Sequence, residues 1–197
     1  MDCSCEKWTY WGILTCAIIG FVIQISMGSI AESAALHGDA WHTLFDGSDA
    51  ILSLLVLFFI RHTNRCENDI RQKGAMISLC LLAIAIASIG IAAYQKFSGD
   101  IVSDPRFMVL GGVVGIVVGQ MALYFSSYVP FHRRTKTLHM AHAHVHMDYL
   151  NSWGVVISGL LVWFLGVPQI DGAMGALIAI YLAYSFLPKY FSLIMKR

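Results

Sequence analysis

The stretch "HVHMDYLNSWGVVISGLLVWFLG", residues 144–166, opens on two histidines and an aspartate and runs directly into an apolar segment long enough to cross a bilayer. A second stretch, "HTLFDGSDAILSLLVLFFI" at 42–60, repeats the idea: a His four residues before an Asp, then a hydrophobic run. The hydrocarbon core is about 30 Å thick, which takes roughly 20 helical residues to span. With a few polar positions allowed, six segments meet that length: 8–31, 38–61, 74–96, 107–129, 145–166 and 170–194. The expected fold is an all-α polytopic membrane protein, one domain of six transmembrane helices over residues 1–197.

Composition agrees. Apolar residues make up 57% of the chain and charged residues 13%, with a mean hydropathy of +0.67, which places the chain among membrane proteins. A formal charge of +1 offers no concentrated basic face for a nucleic acid. The five cysteines, Cys3, Cys5, Cys16, Cys66 and Cys80, are scattered and suggest no disulfide framework. Cys16 and Cys80 sit in apolar runs as small hydrophobes, and "CSC" at 3–5 supplies only two thiolates for a soft metal. "MDCSCEKW" lacks a basic n-region, so the first helix is expected to be retained rather than cleaved as a signal.

Orientation follows from basic residues. Lys7, Arg61, Arg65, Arg71, Lys73, Arg133, Arg134, Lys136, Lys189, Lys196 and Arg197 fall on one side, leaving Lys96 and Arg106 on the other. Both termini are therefore expected in the cytoplasm of a cell with the chain in its inner membrane. Trp8, Trp11, Tyr94, Tyr124, Tyr128 and Tyr190 fit an interfacial aromatic belt. Gly111, Gly115 and Gly119 form a small-residue stripe on helix 4, and Gly172, Ala176, Ala179 and Ala183 a looser one on helix 6. Both are expected to serve close packing inside the bundle.

Residues four apart share a helix face, so His42 and Asp46 project together from helix 2, and His144 and Asp148 from helix 5. An ionised Asp at the bilayer centre costs about 2.5–3.5 kcal/mol or more, and neither stretch holds a Lys or Arg to neutralise it. Two imidazoles and two carboxylates at four corners would make a tetrahedral site of the kind Zn²⁺ takes at about 2.0–2.2 Å; protons are the other candidate occupant. Asp39 and Asp49 extend the helix 2 stripe into a pathway toward His37 and Glu32, whose alternative role is to solvate a helix end. His132, His139, His142, His144 and His146 crowd the approach to helix 5, either capturing metal from the cytoplasm or forming a solvated basic loop. His146, two residues after His144, points away from it and is the poorer ligand.

These residues resemble the cation diffusion facilitator family, zinc-transporter type. "ALHGDAWHTLFDGSDAILSLLV" is similar to that family's helix 2, "HVHMDYLNSWGVVISGLLVW" to its helix 5, and "VPQIDGAMGALIAIYLAY" to its turn into helix 6. The resemblance implies a six-helix bundle whose transport site is His42, Asp46, His144 and Asp148, with Asp49 an addition to the family pattern; Asp39, Asp49, His142 and His146 are the pathway or accessory residues that spacing and clustering suggest. Family members continue into a cytoplasmic metal-binding domain that helps form a homodimer, whereas this chain stops at "LIMKR". No such separate domain is expected here, and a homodimer is left open.

The implied activity is efflux of Zn²⁺, with Cd²⁺, Co²⁺, Ni²⁺ or Fe²⁺ as other candidate cargoes, in exchange for protons. A divalent ion among two carboxylates and two neutral imidazoles carries no net charge. Once the ion leaves, protons are its simplest replacement. Partners are then the metal ion, protons and lipid. A haem-binding, cytochrome b-like protein with His42 and His144 as axial ligands is the alternative, but it gives the carboxylates no role. An intramembrane metalloprotease is a third option, but H-E-x-x-H is absent and four protein ligands leave no open position for water, so the expectation is a carrier and not an enzyme.

Overall fold

The computed structural model describes residues 3–30, 34–62, 66–98 and 104–195. Seven helices occur among them: α1 Cys3–Ile30, α2 Ala34–His62, α3 Glu67–Ser98, α4 Pro105–Ser127, α5 Lys136–Leu165, α6 Gln169–Ser185 and α7 Leu187–Met195, with a 3-10 turn at Phe131–Arg133 and no strand among the described residues. Five stretches are long and apolar enough to cross a bilayer: Glu6–Met27, Glu67–Lys96, Pro105–Ser127, Lys136–Leu165 and Gln169–Met195. α2, of 29 residues, is the sixth long helix. The chain is an all-α, multi-pass membrane protein.

Local chemistry sets the boundaries. Asp104 Oδ1 accepts from the Arg106 N–H at 2.9 Å, with Pro105 in the first turn, where its missing N–H removes no intrahelical bond. Thr135 Oγ1 accepts from the Leu138 N–H at 3.3 Å and starts α5. At the other end Gly166 adopts φ 68°, a left-handed cap that glycine takes without strain, and Pro168 follows. α6 and α7 form one crossing with a break. Pro188 cannot donate to the ladder and crowds the carbonyl a turn back, while Phe186 N–H to Leu182 O (2.9 Å) and Tyr190 N–H to Phe186 O (3.0 Å) carry the backbone around it.

Two expectations are corrected. α5 begins at Lys136 rather than 145 and α3 at Glu67 rather than 74, so most of the presumed loops 61–73 and 132–144 are helix. Polar residues lower hydropathy there without breaking a helix, and Met140, Ala141 and Ala143 are good helix formers. From His139 on, the histidine stretch is accordingly packed in α5, with His139, Met140 and Ala143 buried, whereas His132 is exposed in the turn before it. Tyr190 is likewise buried, unlike Trp8, Trp11, Tyr94, Tyr124 and Tyr128, which stand on the outer surface. Tyr190 and Ile194, four residues apart, form the buried face of α7.

α5 is the central element because it is buried on two sides. On one, Leu138, Ala141 and Val145 pack with Tyr10, Ile13 and Cys16 of α1, Ala50 of α2, and Val118 and Ala122 of α4. On the other, Met140, Ala143 and Met147 pack with Leu79, Leu82 and Ile86 of α3 and with Leu182, Phe186, Tyr190 and Ile194 of α6 and α7. Cys80, by contrast with Cys16, lies on the outer surface. The helix 4 glycines allow close contact with α5: a Cβ at Gly112 would lie 2.6 Å from Val156 Cγ2, and Gly115 and Gly119 face Ser152 and Tyr149. On α6, Ala179 lies 3.9 Å from where a Cβ on Gly90 of α3 would stand, and Ala183 packs against the same core. Both small-residue stripes thus serve packing within the bundle, where lipid offers no hydrophobic reward and close approach must supply the attraction.

At one end of α3, Arg71 donates to both Glu6 carboxylate oxygens at 3.0 Å and through Nε to Glu67 at 2.8 Å. Tyr10, also buried, donates to Glu6 at 3.1 Å and lies 3.1 Å from Thr137 Oγ1, and Thr135 donates to Glu6 as well. At the opposite end, Lys96 pairs with Asp171 of α6 at 2.7 Å, and Ser158 of α5 donates to the same carboxylate at 3.0 Å. α3 is therefore tied at both ends to its neighbours.

Candidate metal centre

His144 lies on α5 between the two core clusters, 3% exposed. Its Nε2 stands 3.1 Å from the backbone carbonyl of Ser78 on α3. A carbonyl only accepts, so Nε2 carries the proton and Nδ1 keeps its lone pair. That Nδ1 is buried and has no hydrogen-bond partner among the described residues. A backbone carbonyl holding one ring nitrogen while the other stays open is how imidazole ligands are commonly oriented toward metal.

Ser78 also reaches α2: its hydroxyl donates to Asp49 Oδ1. Asp49 is 1% exposed, and its Oδ2, like His144 Nδ1, has no partner among the described residues. The structure thus brings together His144, one of the four expected ligands, and Asp49, expected only as an accessory residue.

Asp148, one turn after His144, borders a different space. With Ile13 and Ala17 of α1, Thr43 and Gly47 of α2, and Gly119 of α4 it lines a cavity of about 20 Å³, room for a water-sized occupant. Thr43 Oγ1 donates to the buried Gln24 of α1 at 2.7 Å, so a polar link continues from this cavity into α1. Asp39, His42 and Asp46 lie on α2, but their side chains, with that of His37 and the whole of Glu32, fall outside the described residues. Their immediate neighbours Thr43 and Gly47 are the α2 residues that meet Asp148.

His142 and His146 face elsewhere. His142 Nδ1 is 2.7 Å from Ser126 Oγ of α4, and the His146 ring lies 5.7 Å from Phe186. The two rings are 6.2 Å apart, one helical turn along a face that does not include His144, as the spacing of His146 predicts. Sequence reasoning missed Ser78, Thr43 and Gln24. For Ser78 and Gln24 the only signal was a polar residue in an apolar run, and for Thr43 its place inside "HTLFD"; Ser78 acts partly through its backbone, which no side chain announces.

The family of cation efflux transmembrane domains matches residues 11–192. The chain belongs to this family. The resemblance read from helices 2, 5 and 6 is the same one, that of the cation diffusion facilitators. An uncharacterized transporter of Methanocaldococcus jannaschii is 25% identical over 171 residues, covering 82% of this cation efflux chain and 59% of the relative. The chain therefore spans a little under three fifths of that relative's length.

Proposed function

We propose that this chain is the membrane part of a divalent metal efflux carrier, with Zn²⁺ as cargo, exchanging the ion for protons by alternating access. One observation carries the reading: a buried imidazole, His144, with Nε2 donating to a backbone carbonyl and Nδ1 open. His42, Asp46, His144 and Asp148 are the ligand set on this reading. The cavity shared by Asp148 with Thr43 and Gly47 supports it, since these are the neighbours of His42 and Asp46 on α2. Imidazole and carboxylate together favour Zn²⁺ or Co²⁺ over Mg²⁺.

A neutral assembly of M²⁺ with two carboxylates lowers the cost of keeping the ion away from bulk water. Protons and metal compete for the same lone pairs. With both termini in the cytoplasm of an energised inner membrane, protons arriving from outside displace the metal there, and the direction is export. Membership of a cation efflux family favours transport over enzyme activity and over the haem alternative.

Proteoliposomes loaded with a zinc-sensitive dye test this. Zn²⁺ uptake should accelerate when a pH gradient of the correct sign is imposed, and His144→Ala or Asp148→Ala should lower the rate by about tenfold or more, the scale on which metal-site substitutions act. Full transport by both variants sinks the site; transport indifferent to the gradient sinks the exchange.

A further inference from the structure

Asp49 is not needed for the double His/Asp set, yet it is among the most deeply buried side chains of the protein. Leaving an ionised carboxylate in a bundle interior is expensive unless something positive meets it. Ser78 satisfies Oδ1. Among the described residues no Lys or Arg pairs with Asp49 and nothing meets Oδ2.

The nearest opportunity is His144. Ser78 holds both groups, Asp49 through its hydroxyl and His144 through its carbonyl. The two atoms left over, Asp49 Oδ2 and His144 Nδ1, are both lone-pair donors, so neither can hydrogen-bond the other without an added proton or ion. Three helices, α2, α3 and α5, meet through Ser78, and beside it one carboxylate oxygen and one imidazole nitrogen stay buried and unmet among the described residues, atoms that a proton or a metal ion would satisfy. Asp148, meanwhile, borders the cavity on the α1 and α4 side.

We propose that Asp49 and His144 form a second cation station, distinct from the double His/Asp set, that takes a divalent transition-metal ion in transit through Oδ2 and Nδ1. Water completes its coordination. It rests on the transport reading above and adds a step to it. Nδ1 has one lone pair, so His144 serves one station at a time, and the ion passes between them by exchanging Asp49 for Asp148 around a shared imidazole.

Titration of the purified chain in detergent with CoCl₂, followed by visible absorption and calorimetry, separates the alternatives. In an Asp148→Asn background Co²⁺ should still bind. Adding Asp49→Asn should weaken that residual binding on the order of a hundredfold, since even outer partners of metal ligands contribute roughly 10–100-fold. The amide oxygen can still accept from Ser78, and thermal melts verify the fold. Should that variant not fold, Ser78→Ala in the same background removes the hydroxyl on Oδ1 but keeps the carbonyl that holds His144, and should weaken residual binding about tenfold. No residual binding, or residual affinity unaffected by Asp49 and Ser78, overturns the station and leaves the transporter intact. No Co²⁺ binding by the unsubstituted chain overturns the transport reading instead.

Discussion

Arg71 and Asp49 are both charged residues buried on neighbouring helices, and the protein treats them in opposite ways. Around Arg71 every partner is in place: Glu6 is held by a bidentate guanidinium, Tyr10 and Thr135, and the guanidinium keeps a third contact with Glu67. Around Asp49, among the described residues, only one oxygen is met, and His144, which bonds to the same Ser78, is also half satisfied. A saturated network ties helices together. A half-satisfied one is tolerated at a cost in stability, which makes sense where an ion or proton completes it. On the proposed transport reading, the contrast separates a buried charge that holds the bundle from one left open to cargo.

The largest expected effect comes from breaking the saturated side. Arg71→Ala leaves Glu6 buried without its counter-ion and should destabilise the protein by about 3–5 kcal/mol. Thermal unfolding in detergent measures it, and a change below 1 kcal/mol, less than an ordinary hydrogen bond is worth, would erase the distinction. Asp49→Leu should go the other way: removing an incompletely paired buried charge is neutral or stabilises by roughly 1–2 kcal/mol, raising the midpoint by a few degrees while transport falls. A lowered midpoint would mean that Asp49 is structural.

Tyr10→Phe probes redundancy. Glu6 keeps Arg71 and Thr135, so the loss should stay near 0.5–1.5 kcal/mol, the typical net value of one hydrogen bond; a larger loss would show that the phenol organises the cluster. The smallest effect belongs to Lys73→Ala. Its pair with Asp69 at 3.1 Å is solvent-exposed, and such a pair contributes about 0.3–0.5 kcal/mol. Measuring it sets the baseline against which burial is judged.

The helices were legible in sequence wherever apolar residues run together, as in α4. They were illegible at the starts of α3 and α5, where polar residues mask a helix that packing and the Thr135 cap sustain. Tyr190 read as an interface residue because chain position alone cannot show that the Tyr190–Ile194 face of α7 packs into the core. Of the candidate site, the His144–Asp148 spacing was readable, whereas Ser78 was not, since half of its role belongs to a backbone carbonyl.

By itself the sequence determined that this chain lies in lipid as a multi-pass bundle, and that its intramembrane carboxylates must find positive partners, because hydrocarbon neither solvates charge nor screens it. Which partner each one finds was decided only by the tertiary structure. Glu6 and Arg71 stand 65 positions apart, and Ser78 and His144 stand 66 apart. Electrostatic pairing depends on distance in space, and that distance exists only once the helices have packed.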